Sequence, residues 1–244
     1  MPAGPLRSLT YVHTALRNEL GDFAADARAL LDGTGNARTL KERFDWDVYA
    51  LRQHAAGEDT ALFPAIEAVH SGVAASFDDR HRMDGALVEE TEALFNNLDA
   101  DGALSTLVRV TDKLSDRASL HMDKEERVLV PFVEDHFSIE QQGWILGEMM
   151  QAFPPEFMLK GVPWIFKHLD ASLRISYAHA LKRAMPAEPF ARHMDNVRQE
   201  LGESNGRLFQ MQLLNADNLS QLQSGHCPAK GRNDLLRNPK TGLL

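Results

Sequence analysis

The sequence predicts an all-α protein: an up-down-up-down four-helix bundle made from a duplicated helical hairpin, followed by a C-terminal helical extension. Apolar residues recur in alternating steps of three and four along four long segments, as on the buried face of an α-helix. Short turns rich in Gly, Asp and Asn separate these segments, which favours antiparallel neighbours. Two of the segments share a motif, which indicates that the second hairpin is a copy of the first.

The breaker residues set the expected limits of the bundle helices. Helices are predicted over residues 6–31, 36 or 39 to 69, 74 or 78 to 98, and from 103 onward. Pro64 removes a backbone donor and crowds the preceding turn, so we expect a bend near Phe63. Pro131 occupies the corresponding place in the fourth helix and predicts the same bend there.

A His-x-x-x-Glu motif occurs at His54 and Glu58 and again at His121 and Glu125, with an offset of 67 residues. The two copies also share a Leu, a Pro and a later Glu. Side chains four residues apart leave the same face of a helix, and both pairs lie in the apolar seam. One such pair would be unremarkable on a helix surface, where His and Glu are common. Its repetition at buried positions indicates a pair of metal ligands.

A lone histidine precedes each motif by one helix. His13 and His81 are 68 residues apart, and both occupy seam positions. A single buried histidine is more often a hydrogen-bonded core residue than a ligand. The place of each histidine in the repeat is what indicates that both contribute to a shared site.

The repeat places six candidate ligands inside one bundle: His13, His54, Glu58, His81, His121 and Glu125. Two carboxylates from opposite hairpins can each bridge two ions, and four imidazoles supply about two terminal ligands per ion. Neither seam contains a Lys or Arg to neutralise the buried acids, so cations would relieve their repulsion. This donor set suits iron, manganese or zinc, and it leaves coordination positions open for a small molecule.

The second half of the chain lacks the motif. Residues 138–214 are predicted to form a helical extension that packs on the bundle, and residues 215–244 to form a flexible tail. The large apolar residues of the extension are expected to cover one side or the open end of the bundle. Its histidines have no acid four residues later and are expected to be structural or exposed: His168, His179 and His193.

Proline and capping signals divide the extension. Ser138 and Gln141 form a capping-box pattern that opens a short helix to about residue 153. Pro163 at a helix start predicts a helix over 164–185, and a further helix is expected over 187–201.

Charge and composition exclude several classes of partner. A net charge of −9 and a pI of about 5.6 argue against nucleic acid or an anionic membrane as the main partner. No apolar run approaches the roughly 20 residues needed to cross a bilayer, and the N-terminus lacks a secretory signal pattern, so we expect a cytoplasmic protein. Cys227 is the single cysteine, which rules out an internal disulfide and leaves neighbouring His226 without the cysteines of a zinc set.

The order His, His-x-x-x-Glu, His, His-x-x-x-Glu over residues 6–136 resembles the hemerythrin HHE cation-binding family. The resemblance implies a non-haem di-iron centre, with an oxo or hydroxo bridge between two Fe ions, at the six positions named above. Mn or Zn could substitute. It also implies that the centre binds or reduces O2, peroxide or NO, in sensing or detoxification.

The chain departs from the oxygen-carrying members, which have an additional histidine four residues from the third-helix ligand. Here the positions four residues either side of His81 hold Phe77 and Gly85. The lost imidazole leaves one ion more open, which favours reactivity over reversible oxygen carriage.

Two alternatives remain open from the sequence. A di-iron oxygenase or oxidase acting on a small organic substrate, a non-haem di-iron oxidoreductase, is motivated by the extension rich in Met and aromatic residues. A cavity of more than about 300 Å³ at the metal would favour it. A metal-stapled scaffold, with the extension as a dimer interface, is the other alternative. Second-sphere partners for the ligands are sought among Tyr11, Asp47, Tyr49, Asp84 and Glu92.

Overall fold

The computed structural model describes residues 4–223, apart from the side chains of residues 76, 78, 79 and 218–223. All regular secondary structure in this part of the chain is helical, which confirms the all-α prediction. A 3-10 turn at Pro5–Ser8 leads into the helices of the bundle. These are α1 (Leu9–Leu31), α2 (Ala37–Gly57), α3 (Phe63–Val69), α4 (Ala75–Phe95) and α5 (Ala103–His136). None of the helices within residues 4–223 is long and apolar enough to cross a membrane.

The four long helices contact one another in a ring. Helix α1 packs against α2 and α5, and α4 packs against α5 and α2. The core between them contains large side chains with at most 1% of their surface exposed: Leu16, Phe23, Phe44, Leu107 and Leu114. Burying a side chain of this size stabilises the folded state by about 1.5–3 kcal/mol. Phe23 stacks on Phe44 with ring centroids 5.5 Å apart, which holds α1 against α2.

Where the sequence predicts a bend near Phe63, the structure has a π-helical segment, Glu58–Leu62, between α2 and α3. In a regular α-helix the ring of Pro64 would crowd the carbonyl four residues earlier, and the wider π turn relieves that clash. Helix α5, in contrast, continues as an α-helix through Pro131. The repeated motif therefore does not repeat the π segment, and only the first glutamate of the pair begins one.

The extension forms a second set of helices. They are α6 (Ile139–Gln151), α7 (Pro155–His168), α8 (Ala171–Ala184), α9 (Ala187–Glu200) and α10 (Gly202–Gln223). The prediction of one helix over 164–185 is wrong, because α7 begins at Pro155 and runs through Pro163. The break comes later, where the side chain of Asp170 accepts a hydrogen bond from the Leu173 N–H and starts α8.

The start of the extension agrees with the sequence prediction, and its end does not. The capping box is present: Ser138 Oγ accepts from the Gln141 N–H, and the Gln141 side chain accepts from the Ser138 N–H. Helix α10 continues to Gln223, past residue 215, where the sequence predicts the start of a tail. The rest of that predicted tail, with His226 and Cys227, lies outside the described residues.

Helix α6 closes the end of the bundle formed by the 3-10 turn and the π segment, and α7 packs along α1. Ile145 and Met149 of α6 are at most 2% exposed within a cluster that includes Leu62 of the π segment. The contact is close at Gly57, where a Cβ atom would lie 2.9 Å from the ring of Phe153. The extension therefore packs directly against the segment that carries Glu58.

Candidate metal centre

The structure brings all six predicted ligands together in the interior of the bundle. They form two overlapping groups in which the candidate ligand atoms lie within 4.8 Å of one another. One group contains two imidazoles and both carboxylates, and the other contains two imidazoles and one of those carboxylates. The first comprises His13, His54, Glu58 and Glu125, and the second His81, His121 and Glu125.

The carboxylates lie between the two pairs of imidazoles. Glu58 is 3.5 Å from His54 Nε2 and 3.4 Å from His81 Nε2, so it contacts one imidazole of each pair. Glu125 does the same, at 3.5 Å from His13 Nε2 and 2.9 Å from His121 Nε2. The hairpins thus interlock, because each glutamate reaches an imidazole of the other hairpin.

The centre is closed to solvent and rich in unpaired polar atoms. Glu58 is fully buried, and Glu125 is 2% exposed. Seven buried nitrogen and oxygen atoms of the described centre lack a hydrogen-bond partner: Nε2 of His13, His81 and His121 and both carboxylate oxygens of Glu58 and Glu125. Leaving such groups unpaired is costly, by about 1–3 kcal/mol for a neutral group and more for a charged one. Cations are the partners that would satisfy imidazole nitrogens and carboxylate oxygens together.

Burial and the neighbouring charges shift the pKa values of several side chains in the centre. Burial, together with the charge of Glu125, raises the pKa of Glu58 to about 7. Burial and the neighbouring imidazoles hold the pKa of His54 well below its usual value. Burial alone would also lower the pKa of His121, but contacts with Asp84 and Glu125 raise it to about 9. Opposite shifts in touching groups are typical of functional sites.

Three acidic side chains outside the six candidate ligands contact the imidazoles at Nδ1. Asp59 Oδ1 lies 2.9 Å from His81 Nδ1, Glu126 Oε1 lies 3.0 Å from His13 Nδ1, and Asp84 Oδ2 lies 3.2 Å from His121 Nδ1. A carboxylate in this position accepts a hydrogen bond from Nδ1–H and turns Nε2 toward the centre, which fixes the tautomer of a ligand. Asp84 is thus one of the second-sphere partners that the sequence predicts.

Sequence reasoning missed the other two partners. Asp59 and Glu126 each directly follow the glutamate of a motif, and that shared position is the signal that could have found them. The remaining candidates have other partners. Glu92 pairs with Arg52 at 3.3 Å. The two tyrosines contact aromatic rings of the extension, Tyr11 in a tilted arrangement with Tyr177 and Tyr49 edge-to-face with Phe157.

Asp47 belongs to a separate polar cluster under α7. Burial and the charge of Glu19 raise the pKa of Asp47 to about 8. Glu19 pairs with Arg43, and its Oε2 lies 2.5 Å from Nε2 of His168. His168 therefore has the structural role expected of it.

The other two histidines of the extension also lie away from the six-residue centre. His179 Nε2 is 3.4 Å from Asp217, and both side chains are partly exposed. His193 is half-buried, and burial lowers its pKa.

A small cavity adjoins the centre on the side of His13, Glu58 and Glu125. Its volume is about 10 Å³, counted as the space open to the centre of a water-sized molecule. That is room for about one water, since a cavity needs roughly 10–15 Å³ by this measure to hold one. The rest of its wall is aliphatic: Leu6, Leu9, Leu62, Leu129, Val130 and Val133. The cavity is far below the roughly 300 Å³ of a pocket for an organic ligand.

Comparisons with known proteins point to one family. The model of the hemerythrin HHE cation binding domain matches residues 4–133. Zinc finger protein BRUTUS of Arabidopsis thaliana is 24% identical over 189 residues, which cover 75% of this chain and 15% of that protein. An uncharacterized hemerythrin-like protein of Schizosaccharomyces pombe is 26% identical over 146 residues, 56% of this chain and 68% of that protein. The chain thus spans about 15% of the length of BRUTUS. No solved structure matches.

Proposed function

The chain belongs to the hemerythrin HHE cation-binding family, and from this premise we propose that its centre holds two iron ions and binds or reduces O2, peroxide or NO. The role would be sensing or detoxification. The six predicted ligands, His13, His54, Glu58, His81, His121 and Glu125, would hold the ions. Mn or Zn could occupy the same positions, because imidazole and carboxylate donors suit all three metals.

The observation that carries the proposal is the set of seven buried nitrogen and oxygen atoms without a hydrogen-bond partner, four of which are the carboxylate oxygens of Glu58 and Glu125. Without cations, Glu58 and Glu125 would repel each other in a medium of low dielectric constant. Two imidazoles lie on each side of the carboxylate pair, so these side chains would hold two ions.

The residues of the chain divide the remaining work. The carboxylates behind His13, His81 and His121 hold each Nε2 toward the centre. The aliphatic wall of the cavity keeps bulk water and larger molecules from the His13 side. Bound iron would supply one-electron redox chemistry and open coordination positions for the small ligand.

The size of the cavity also separates the alternatives. An oxygenase acting on an organic substrate requires a pocket that places the substrate beside the metal. The cavity of about 10 Å³ at His13 supports a diatomic or peroxide ligand in preference to such a substrate.

Metal analysis and stopped-flow spectroscopy test the proposal. The wild-type chain, purified without added metal salts and then loaded anaerobically with Fe(II), should bind close to two ions. His54→Ala should lose at least one of them. His179→Ala removes a histidine that pairs with Asp217 instead and should keep both. The reduced protein, mixed in turn with O2, hydrogen peroxide and NO, should develop a new absorption band with at least one of them. Silence with all three at full loading would overturn the small-molecule function.

A further inference from the structure

We propose that the two cation positions have unequal affinity, and that Asp84 makes the position of His81 and His121 the tighter one. This inference rests on the proposed dinuclear centre. It concerns the side chains that contact the candidate ligands from outside, which differ between the two halves of the repeat, whereas each half contributes the same residue types as ligands, two His and one Glu.

Both imidazoles of the tighter position are backed by carboxylates. Asp59 contacts Nδ1 of His81 at 2.9 Å, and Asp84 contacts Nδ1 of His121 at 3.2 Å. A carboxylate that accepts a hydrogen bond from the other ring N–H raises the basicity of the ligating nitrogen, and its loss typically lowers metal affinity 10–100-fold. The effects of two such contacts on the affinity for one ion should therefore add.

The position of His13 and His54 is less well supported. Glu126 backs His13 at 3.0 Å, but the same oxygen accepts a hydrogen bond from Arg17 at 2.9 Å, which offsets its charge. Nδ1 of His54 makes no hydrogen bond with the atoms that the structure describes. Asp84 also has an arginine nearby, yet Arg117 Nε lies 3.6 Å away, a longer contact than that of Arg17 with Glu126.

The two halves of the repeat hold different residues at the position of Asp84. Asp84 lies three residues after His81, and the equivalent position three residues after His13 holds Leu16. Leu16 is 1% exposed and belongs to the hydrophobic core, so the first half has an aliphatic side chain where the second half has a carboxylate. The first cation should consequently occupy the position of His81 and His121, and the second should bind more weakly beside His13 and His54.

Titration of the metal-free chain with Co(II) tests the order. The wild type should take up two ions in two separate steps. Asp84→Leu, which gives the second half the residue found in the first, should weaken the first step 10–100-fold and bring the two steps together. Asp84→Asn keeps an acceptor for Nδ1 but loses the charge, so its effect should be smaller. Glu126→Gln should weaken the second step and leave the first unchanged.

Asp112→Asn is the matched control, because Asp112 lies on α5 and pairs with Arg28 away from the imidazoles. It should reproduce both wild-type steps. Two equal steps in the wild type, or an Asp84→Leu curve that coincides with the wild type or shifts only its second step, would overturn the inference. Uptake of fewer than two ions by the wild type would instead contradict the dinuclear centre. Circular dichroism of the metal-free variants confirms folding, and Asp84→Asn provides the test if Asp84→Leu does not fold.

Discussion

Asp59 Oδ1 lies 2.9 Å from Nδ1 of His81, so the residue that directly follows the first motif contacts the lone histidine of the other hairpin. The second motif does the same in return, because Glu126 contacts His13. The duplicated hairpins are thus joined by a reciprocal pair of hydrogen bonds as well as by the shared glutamates. Each bond reaches an imidazole of the centre, so metal affinity should depend on residues that do not touch the metal.

Removing one of these bonds should weaken the centre without removing a ligand. Asp59→Ala is expected to lower affinity for Zn(II) 10–100-fold, because His81 loses the acceptor that orients its ring. Asp45→Ala is the control, since Asp45 lies on α2, which leads directly into the π segment of Asp59, and pairs with Lys41. Competition with a chromophoric chelator measures both affinities. An unchanged affinity in Asp59→Ala would show that the contact does not support the ligand.

These contacts also show where sequence reasoning stops. The six candidate ligands can be identified from the sequence because seam positions and a repeat offset can be read from residue spacing alone. Asp59 and Glu126 lie next to a seam residue, and helical geometry directs such side chains away from the core. Their side chains are indeed 43% and 28% exposed. They act on the neighbouring helix, which depends on how the hairpins pack, and no pattern within one segment records that.

The sequence predicts only some of the effects of proline on the helices. Pro64 correctly marks an irregularity in the second helix, but the sequence does not distinguish a bend from the π segment at Glu58–Leu62. The prediction that Pro163 starts a helix is wrong, because Pro155 already takes that position and Pro163 lies buried inside α7. Because Pro163 is buried there, packing outweighs the local preference of proline.

Metal binding should strengthen as the pH rises. The pKa of Glu58 is raised to about 7, and that of His121 is raised to about 9, so each holds a proton below its value in the metal-free protein. A cation must displace those protons before it can bind. Affinity for Zn(II) should therefore fall as the pH drops through 9 and fall further through 7. Calorimetry in buffers of different ionisation enthalpy should detect protons released on binding. A pH-independent affinity over this range would contradict the assignment.

Glu58→Gln should change stability in opposite directions with and without metal. In the metal-free protein the variant removes one of two buried, mutually repelling carboxylates, so its melting temperature should rise. The wild type should gain about 2.7 kcal/mol when free metal is 100 times the dissociation constant, and the variant should gain much less. Thermal melts with and without Zn(II) measure both effects. A metal-free variant that melts below the wild type would contradict the repulsion.

Glu19 should stabilise the fold in a way that acid removes. Burial alone would raise its pKa, but contacts with His168 and Arg43 lower the pKa of Glu19 to about 2. A carboxyl whose folded pKa lies below its unfolded value stabilises the protein above the unfolded value and loses that stabilisation as the pH falls toward the folded one. Glu19→Gln should thus cost about 2–3 kcal/mol at pH 7 and little near pH 2. Urea unfolding of the metal-free protein across this range checks the slope, and equal losses at both ends would contradict it.

Narrowing the cavity should slow small-molecule binding without emptying the centre. Val133 forms part of the aliphatic wall beside His13, and Val133→Leu would fill a space that holds about one water. Overpacking of this kind costs about 1–3 kcal/mol, so the fold should persist. Val110→Leu introduces the same change on α5 at a fully buried core position that does not line the cavity. Both variants should bind two ions, but only Val133→Leu should associate with NO more slowly, since it alone fills the space beside the candidate ligands. Equal association rates in stopped-flow traces would show that the ligand reaches the centre by another route.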